Sequence, residues 1–237
     1  MYTQVLEKLV ARLIFILTIV VAFLISAIFT IITSFAAKYY QEQTNFTETS
    51  VPVTKYRSSP GPMDICIYKD NRIPNSYYVW TKLGVQKWRQ ALREYTGNQK
   101  AWDITAHYVK LMQDLGSCTV KVYIYTTYKD FPAYPNQTSA YTAIRYKDNG
   151  DYLDIKIFLA PFVLHGDGKT EINLPTYAFR NSAVHEIGHV LGLGHMRSLK
   201  GYLMSPQFDF WEEKDQLPIT TLELRSLVKA YGSNGFS

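Results

Sequence analysis

His185-Glu186-Ile187-Gly188-His189-Val190-Leu191-Gly192-Leu193-Gly194-His195 is the stretch whose reading decides this chain. His185 and His189 are four residues apart, so on a helix they project from one face and can reach a single ion. Gly192 is where that helix has to stop, because a third ligand continuing in helical register would point away from the metal. Glycine accepts the left-handed backbone that turns the chain back and brings His195 in from the side. Three neutral imidazoles leave the fourth tetrahedral position of a Zn²⁺ ion open, the arrangement of a catalytic rather than a closed structural site. Glu186 follows His185 directly, beside the metal face without being a ligand, where a general base for an activated water is needed. The competing reading is a helix with surface histidines; Gly192 and His195 count against it, as does the clustering here of three of the chain's five histidines.

Outward from the motif, Asn181 or Ser182 is placed to cap its helix, and Thr220 or Thr221 to cap a second helix through Tyr231, ended by Gly232. Upstream, Val79, Leu83, Val85, Trp88, Leu92 and Tyr95 recur at three- and four-residue spacings, predicting an amphipathic helix over residues 76–95 after a short apolar strand near residues 65–68. The run CTVKVYIYTTY from Cys118 is β-branched, aromatic and nearly alternating, which predicts a strand. Asn149-Gly150 between two strand-like runs predicts a hairpin. Residues 102–112 read equally as helix or strand. The order of elements predicts an α+β domain in one piece, without internal repeats.

Residues 13–37 run for 25 positions without a charged side chain, whereas crossing a bilayer core takes roughly 20. This predicts a transmembrane anchor. A cleaved secretory signal is the alternative, with Ser34, Ala36 and Ala37 as small residues near a cut, but its apolar core is typically about 7 to 15 residues. Lys8 and Arg12 precede the segment, so the expected order is a cytoplasmic N-terminus over residues 1–12, the anchor over 13–37, a polar stalk over 38–62 and an extracytoplasmic folded domain over 63–237. A net charge of +5 without dense Lys/Arg runs gives no surface for nucleic acid. Cys66 and Cys118, the only cysteines, read either as one disulfide or as two buried thiols. Asn45 and Asn136 each open a glycosylation-type triplet.

HExxHxxGxxH followed by Gly201-Tyr202-Leu203-Met204-Ser205-Pro206 resembles the metzincin zinc metallopeptidases. The resemblance implies a twisted mixed sheet with an active-site helix and a C-terminal helix, and a methionine, Met204, in a tight turn beneath the metal. Leu-Met-x-Pro is similar to the matrixin branch, as is Leu222 to Gly232 to its last helix. Leu159-Ala160 resembles the substrate-binding edge strand of that branch, and with Pro206 would contact an extended peptide. The function so implied is a zinc-dependent endopeptidase acting on proteins or peptides. The alternative is a catalytically idle relative that only binds peptide or protein in the same cleft.

Several residues depart from the pattern. Met196 follows the third histidine where matrixins usually carry Ser, and no tyrosine stands two residues after Met204. No propeptide cysteine switch of the PRCG type is present, so Cys66 and Cys118 are not read as zymogen ligands. His107 and His165 are too few for the second zinc site of matrixins, and His165-Gly166-Asp167 reads as a polar loop. Asp148 and Asp151 flank the hairpin turn and could bind Ca²⁺, but turn chemistry alone accounts for them.

Overall fold

The computed structural model describes residues 51–54, 61–127, 130–131, 139–148, 152–165, 170–196, 201–206 and 215–235, and within the preceding segment only Val21, which is helical. Two compact units are distinguished, Met1–Thr49 and Ser50–Ser237. The anchor expected over residues 13–37 lies outside the described residues apart from Val21. Among the described residues no helix is long and apolar enough to cross a membrane. Asn45, Asn136, Asn149, Gly150 and Asp151 also lie outside them.

The second unit is built on a five-stranded sheet. Its strands are β1 (Met63–Lys69), β2 (Ile104–Val109), β3 (Val120–Ile124), β4 (Ala140–Tyr146) and β5 (Tyr152–Leu159), in the order β2-β1-β3-β5-β4. The first four in that order run parallel, and β4 pairs antiparallel with β5, Thr142 opposite Ile157. β6 (Phe162–Leu164) and β7 (Glu171–Asn173) form a separate antiparallel pair. Residues 102–112, ambiguous in sequence, are therefore mainly the edge strand β2.

Alternation fixes which face of the sheet is dry. Ile65, Ile67, Val120, Val122, Ile155 and Ile157 are fully buried and belong to one core cluster with Trp88, Leu92, Phe179, Val184 and Ile187. These last five lie on helices α1 (Asn75–Thr96) and α2 (Thr176–Val190). The Trp88 indole N–H donates to the Val184 carbonyl at 2.8 Å, tying α1 to the helix that carries the motif. α1 ends at Gly97, whose φ of 68° is left-handed. α3 (Thr221–Tyr231) starts with a capping box between Thr220 and Glu223 and ends at Gly232, as the sequence predicts. Cys66 and Cys118 are joined in a disulfide with Cα atoms 5.8 Å apart, pinning β1 to the turn before β3.

Three expectations need correction. α2 begins at Thr176, not near Asn181: Pro175, at φ −57°, sets the helical entry. The Asn181 amide is used elsewhere, donating to the Asp215 carbonyl at 3.0 Å and accepting the Leu217 N–H at 2.9 Å. Leu159-Ala160 is not an exposed edge, because β5 lies between β3 and β4 and both residues are buried. The free edge is β4. Finally, folded structure begins before residue 63: Val51 is buried and its N–H bonds Ser226 Oγ at 2.9 Å, while Val53 forms a β-bridge with Leu193.

Candidate metal centre

α2 ends in a Schellman turn that the sequence of the motif writes directly. Gly192 N–H bonds the His189 carbonyl at 2.9 Å and Leu193 N–H the Gly188 carbonyl at 3.0 Å, with Gly192 at φ 106°. The chain reverses there, and His195 comes back over the helix. Its Nε2 lies 3.2 Å from Nε2 of His185 and 3.1 Å from Nε2 of His189. Zn–N bonds of about 2.0–2.1 Å put tetrahedral nitrogen ligands about 3.3 Å apart, so His195 Nε2 stands from each of the other two at close to the spacing a zinc ion imposes, and all three lie within 4.8 Å of one another.

The tautomers agree with that. His185 Nδ1 is 2.6 Å from the Leu203 carbonyl and His189 Nδ1 is 2.7 Å from the Leu193 carbonyl. A carbonyl only accepts, so both Nδ1 atoms carry the proton and both Nε2 atoms present a lone pair to the shared centre. Burial holds the His185 imidazole down at about 3, with the His189 and His195 rings reinforcing it and the Leu203 carbonyl opposing. Burial likewise brings His189 to about 4 and lowers His195. At neutral pH the three rings are uncharged donors.

Glu186, directly after His185 on the helix, is buried, and burial pushes its carboxyl up to about 7. The Thr142 hydroxyl, 2.6 Å from Glu186 Oε2, acts in the opposite direction. The Thr142 contact is not foreshadowed in the sequence; its only signal is a polar side chain on the core-facing side of an edge strand. It also puts the free edge of β4 beside the metal centre.

The floor of the site is Met204, fully buried, and Gly188 is the reason it fits. A Cβ on Gly188 would meet Met204 Sδ at 2.6 Å and Trp88 Cζ2 at 3.2 Å. Met196, one residue beyond the third ligand, is buried and its N–H bonds the Met204 carbonyl at 2.9 Å, so the third ligand's arm is stitched to the same turn. The Leu203–Met204 peptide faces two ways: its carbonyl accepts the His185 Nδ1–H, and its N–H faces the buried Glu223 carboxyl at the start of α3. Residues 51–54 brace the other side, with Thr54 N–H on the Gly192 carbonyl at 2.9 Å and Gly194 N–H on the Pro52 carbonyl at 2.7 Å.

No family model matches the chain, and no curated protein matches it. Among solved structures it is similar to metalloproteinase-II from Bacteroides fragilis, at 11% identity and a TM-score of 0.44, over 79% of this chain and 59% of that one. It is also similar to archaemetzincin from Methanopyrus kandleri, at 14% identity and a TM-score of 0.36, over 71% of this chain and 95% of that one. The chain thus spans 59% of the length of the Bacteroides protein.

The remaining candidates are placed as follows. Pro206 is exposed just past the Met204 turn. His107 and His165 are not brought together: His107 sits on β2 beside Cys66, and His165 follows β6 with its N–H on the Thr170 carbonyl at 2.8 Å. Of the Asp148 and Asp151 pair only Asp148 is described, in a turn.

Proposed function

We propose that the chain is a membrane-anchored, extracytoplasmic zinc-dependent endopeptidase of metzincin type. The observation that carries the enzymatic part is the convergence of three Nε2 atoms, with the Nδ1 atoms of His185 and His189 tied to backbone carbonyls, next to a buried carboxyl. A zinc ion held by His185, His189 and His195 supplies Lewis acidity to a water and to a peptide carbonyl. Glu186 accepts the proton of the attacking water on its carboxylate and delivers it to the nitrogen of the leaving amine. Thr142 orients that carboxylate through its hydroxyl. An extended substrate adds as a strand along the edge of β4, with Pro206 as a rim residue at the far side of the Met204 turn. The matrixin-like Leu-Met-x-Pro and terminal helix favour that branch.

Anchoring and topology rest on the apolar run over residues 13–37 and the Lys8/Arg12 flank. The idle-binder alternative differs at one atom pair, the Glu186 carboxylate. Glu186→Gln keeps shape and zinc but cannot take a proton, so cleavage of an unstructured protein should fall about 10²- to 10⁴-fold while zinc content holds at one per chain. Equal cleavage by parent and variant, both zinc-loaded, would refute the general-base role, and no cleavage by either would favour the binder.

A further inference from the structure

The outer face of the sheet, away from the helices, carries a second set of metal-ligating side chains that the peptidase chemistry does not use. On β1, Ile65 and Ile67 point into the core, so Asp64 and Cys66 share the opposite face. The parallel register sets His107 of β2 beside Cys66, with His107 Nε2 3.0 Å from Cys66 Sγ. Cys118 arrives from the turn before β3, and one ligand atom from each of Asp64, Cys66, His107 and Cys118 lies within 4.8 Å of the others. Behind the imidazole, His107 Nδ1 is 3.2 Å from Asp64 Oδ1, and that carboxylate is itself held by the Thr105 hydroxyl at 3.1 Å.

A structural disulfide needs only the two sulfurs. It gives no role to an imidazole aimed at one of them with a carboxylate oriented behind it. That constellation is how proteins prepare a histidine ligand: the outer carboxylate fixes the Nδ1 tautomer and leaves Nε2 to the ion. Two thiolates and an imidazole are the donors a borderline-soft divalent ion prefers. Cys66 and Cys118 are buried in a small apolar cluster with Val109 and Leu115, whereas the His107 and Asp64 side chains are 52% and 41% exposed, so an ion has an open approach and a dry floor.

We infer that Cys66, Cys118 and His107, backed by Asp64, form a second metal site of zinc type that replaces the Cys66–Cys118 disulfide as the cross-link when that bond is reduced. A dithiol opens the S–S bond and leaves as its own disulfide, giving two protein thiols; binding of M²⁺ then releases both thiol protons. Zn–S bonds of about 2.3 Å put two tetrahedral sulfurs about 3.8 Å apart, within reach of side-chain rotation for Cα atoms 5.8 Å apart.

The test compares the oxidised full-length protein with the same protein reduced by a trialkylphosphine, so that no added thiol competes for metal. Each is titrated with Zn²⁺ and, separately, with Co²⁺. Reduction should raise bound metal by one ion per chain, and the Co²⁺ form should gain thiolate-to-metal charge-transfer absorption that three imidazoles cannot produce. The increment is independent of the His185 centre, so it stands or falls apart from the proposed peptidase activity. His107→Ala, at an exposed position, should weaken the added ion more than 100-fold, and Asp64→Asn about 10- to 100-fold. No added ion on reduction would overturn the inference. So would an unchanged affinity in His107→Ala, or loss of the folded near-ultraviolet dichroism on reduction that added zinc does not restore.

Discussion

Gly192→Ala tests whether the third ligand depends on the turn as built. Two independent costs meet at this position. The backbone is held at φ 106°, a conformation that costs a residue with a Cβ about 1–2 kcal/mol. The added methyl would also collide with the Thr54 carbonyl oxygen and stand 3.1 Å from the Tyr231 hydroxyl. The first obstacle is backbone, so relief requires moving residues 51–54 away from the turn. That movement breaks the bonds from Thr54 N–H to the Gly192 carbonyl and from Gly194 N–H to the Pro52 carbonyl, each worth about 1 kcal/mol. The sum is about 3–4 kcal/mol of stability, with His195 displaced as the turn yields. Denaturant melts and zinc titration of the purified protein check both parts. Gly194→Ala is the control, because its Cβ would come no nearer than 3.3 Å to Pro52 Cβ and 3.5 Å to the Pro52 carbonyl oxygen, and no positive φ is involved. A Gly192→Ala protein within 1 kcal/mol of the parent and with unchanged zinc affinity would refute the claim that residues 51–54 clamp the turn.

Three further outcomes follow from single contacts. Thr142→Val removes the donor to Glu186 Oε2; a hydrogen bond to a charged group is worth about 1.5–3 kcal/mol, so the acidic limb of the kcat/KM profile should move up by about 1–2 pH units with zinc content unchanged, and an unmoved limb would reject the orienting role. Burial raises the Glu223 carboxyl to about 7 from an ordinary 4.5, so its contribution to stability is fully present below about pH 4.5 and declines as pH rises toward 7, by about 3 kcal/mol in all. Glu223→Gln removes that decline: in metal-free protein it should gain on the parent by about 3 kcal/mol between pH 4.5 and pH 8, and a difference independent of pH would sink the assignment. For the anchor, a C-terminal tag on intact cells should be open to added protease; protection until the membrane is broken would reverse the proposed orientation.

The three-histidine cluster, the acidic residue beside it and the turn were legible because each is a local pattern. His185 and His189 need only helical spacing, Gly192 only its conformational freedom, and Thr220 with Glu223 only a three-residue capping interval. What the sequence hid depends on partners far along the chain. Asn181 looks like a cap by type, yet its amide serves residues 215 and 217, and Pro175 does the starting. Leu159-Ala160 looks like an edge by resemblance, but strand order is set by which crossovers pack, and β4 takes the edge. Residues 51–54 are too few to show any periodicity, so their pairing with the Gly192 turn leaves no trace in the pattern.

Those distant partners explain how the centre is preorganised. Two of the three histidines are braced from one turn, His185 through the Leu203 carbonyl and His195 through Met196 on Met204, while His189 is braced through the Leu193 carbonyl of its own turn. The Leu203–Met204 peptide is in turn held by Glu223 of α3, and the turn at Gly192 by residues 51–54, whose Val51 N–H reaches Ser226 of the same helix. The three-histidine geometry therefore draws on both ends of the folded unit, residues 51–54 at the Gly192 turn and α3 at the Met204 turn. An ion that binds this geometry and not the unfolded chain stabilises the docking of both ends together, because binding only the native arrangement shifts the whole folding equilibrium toward it.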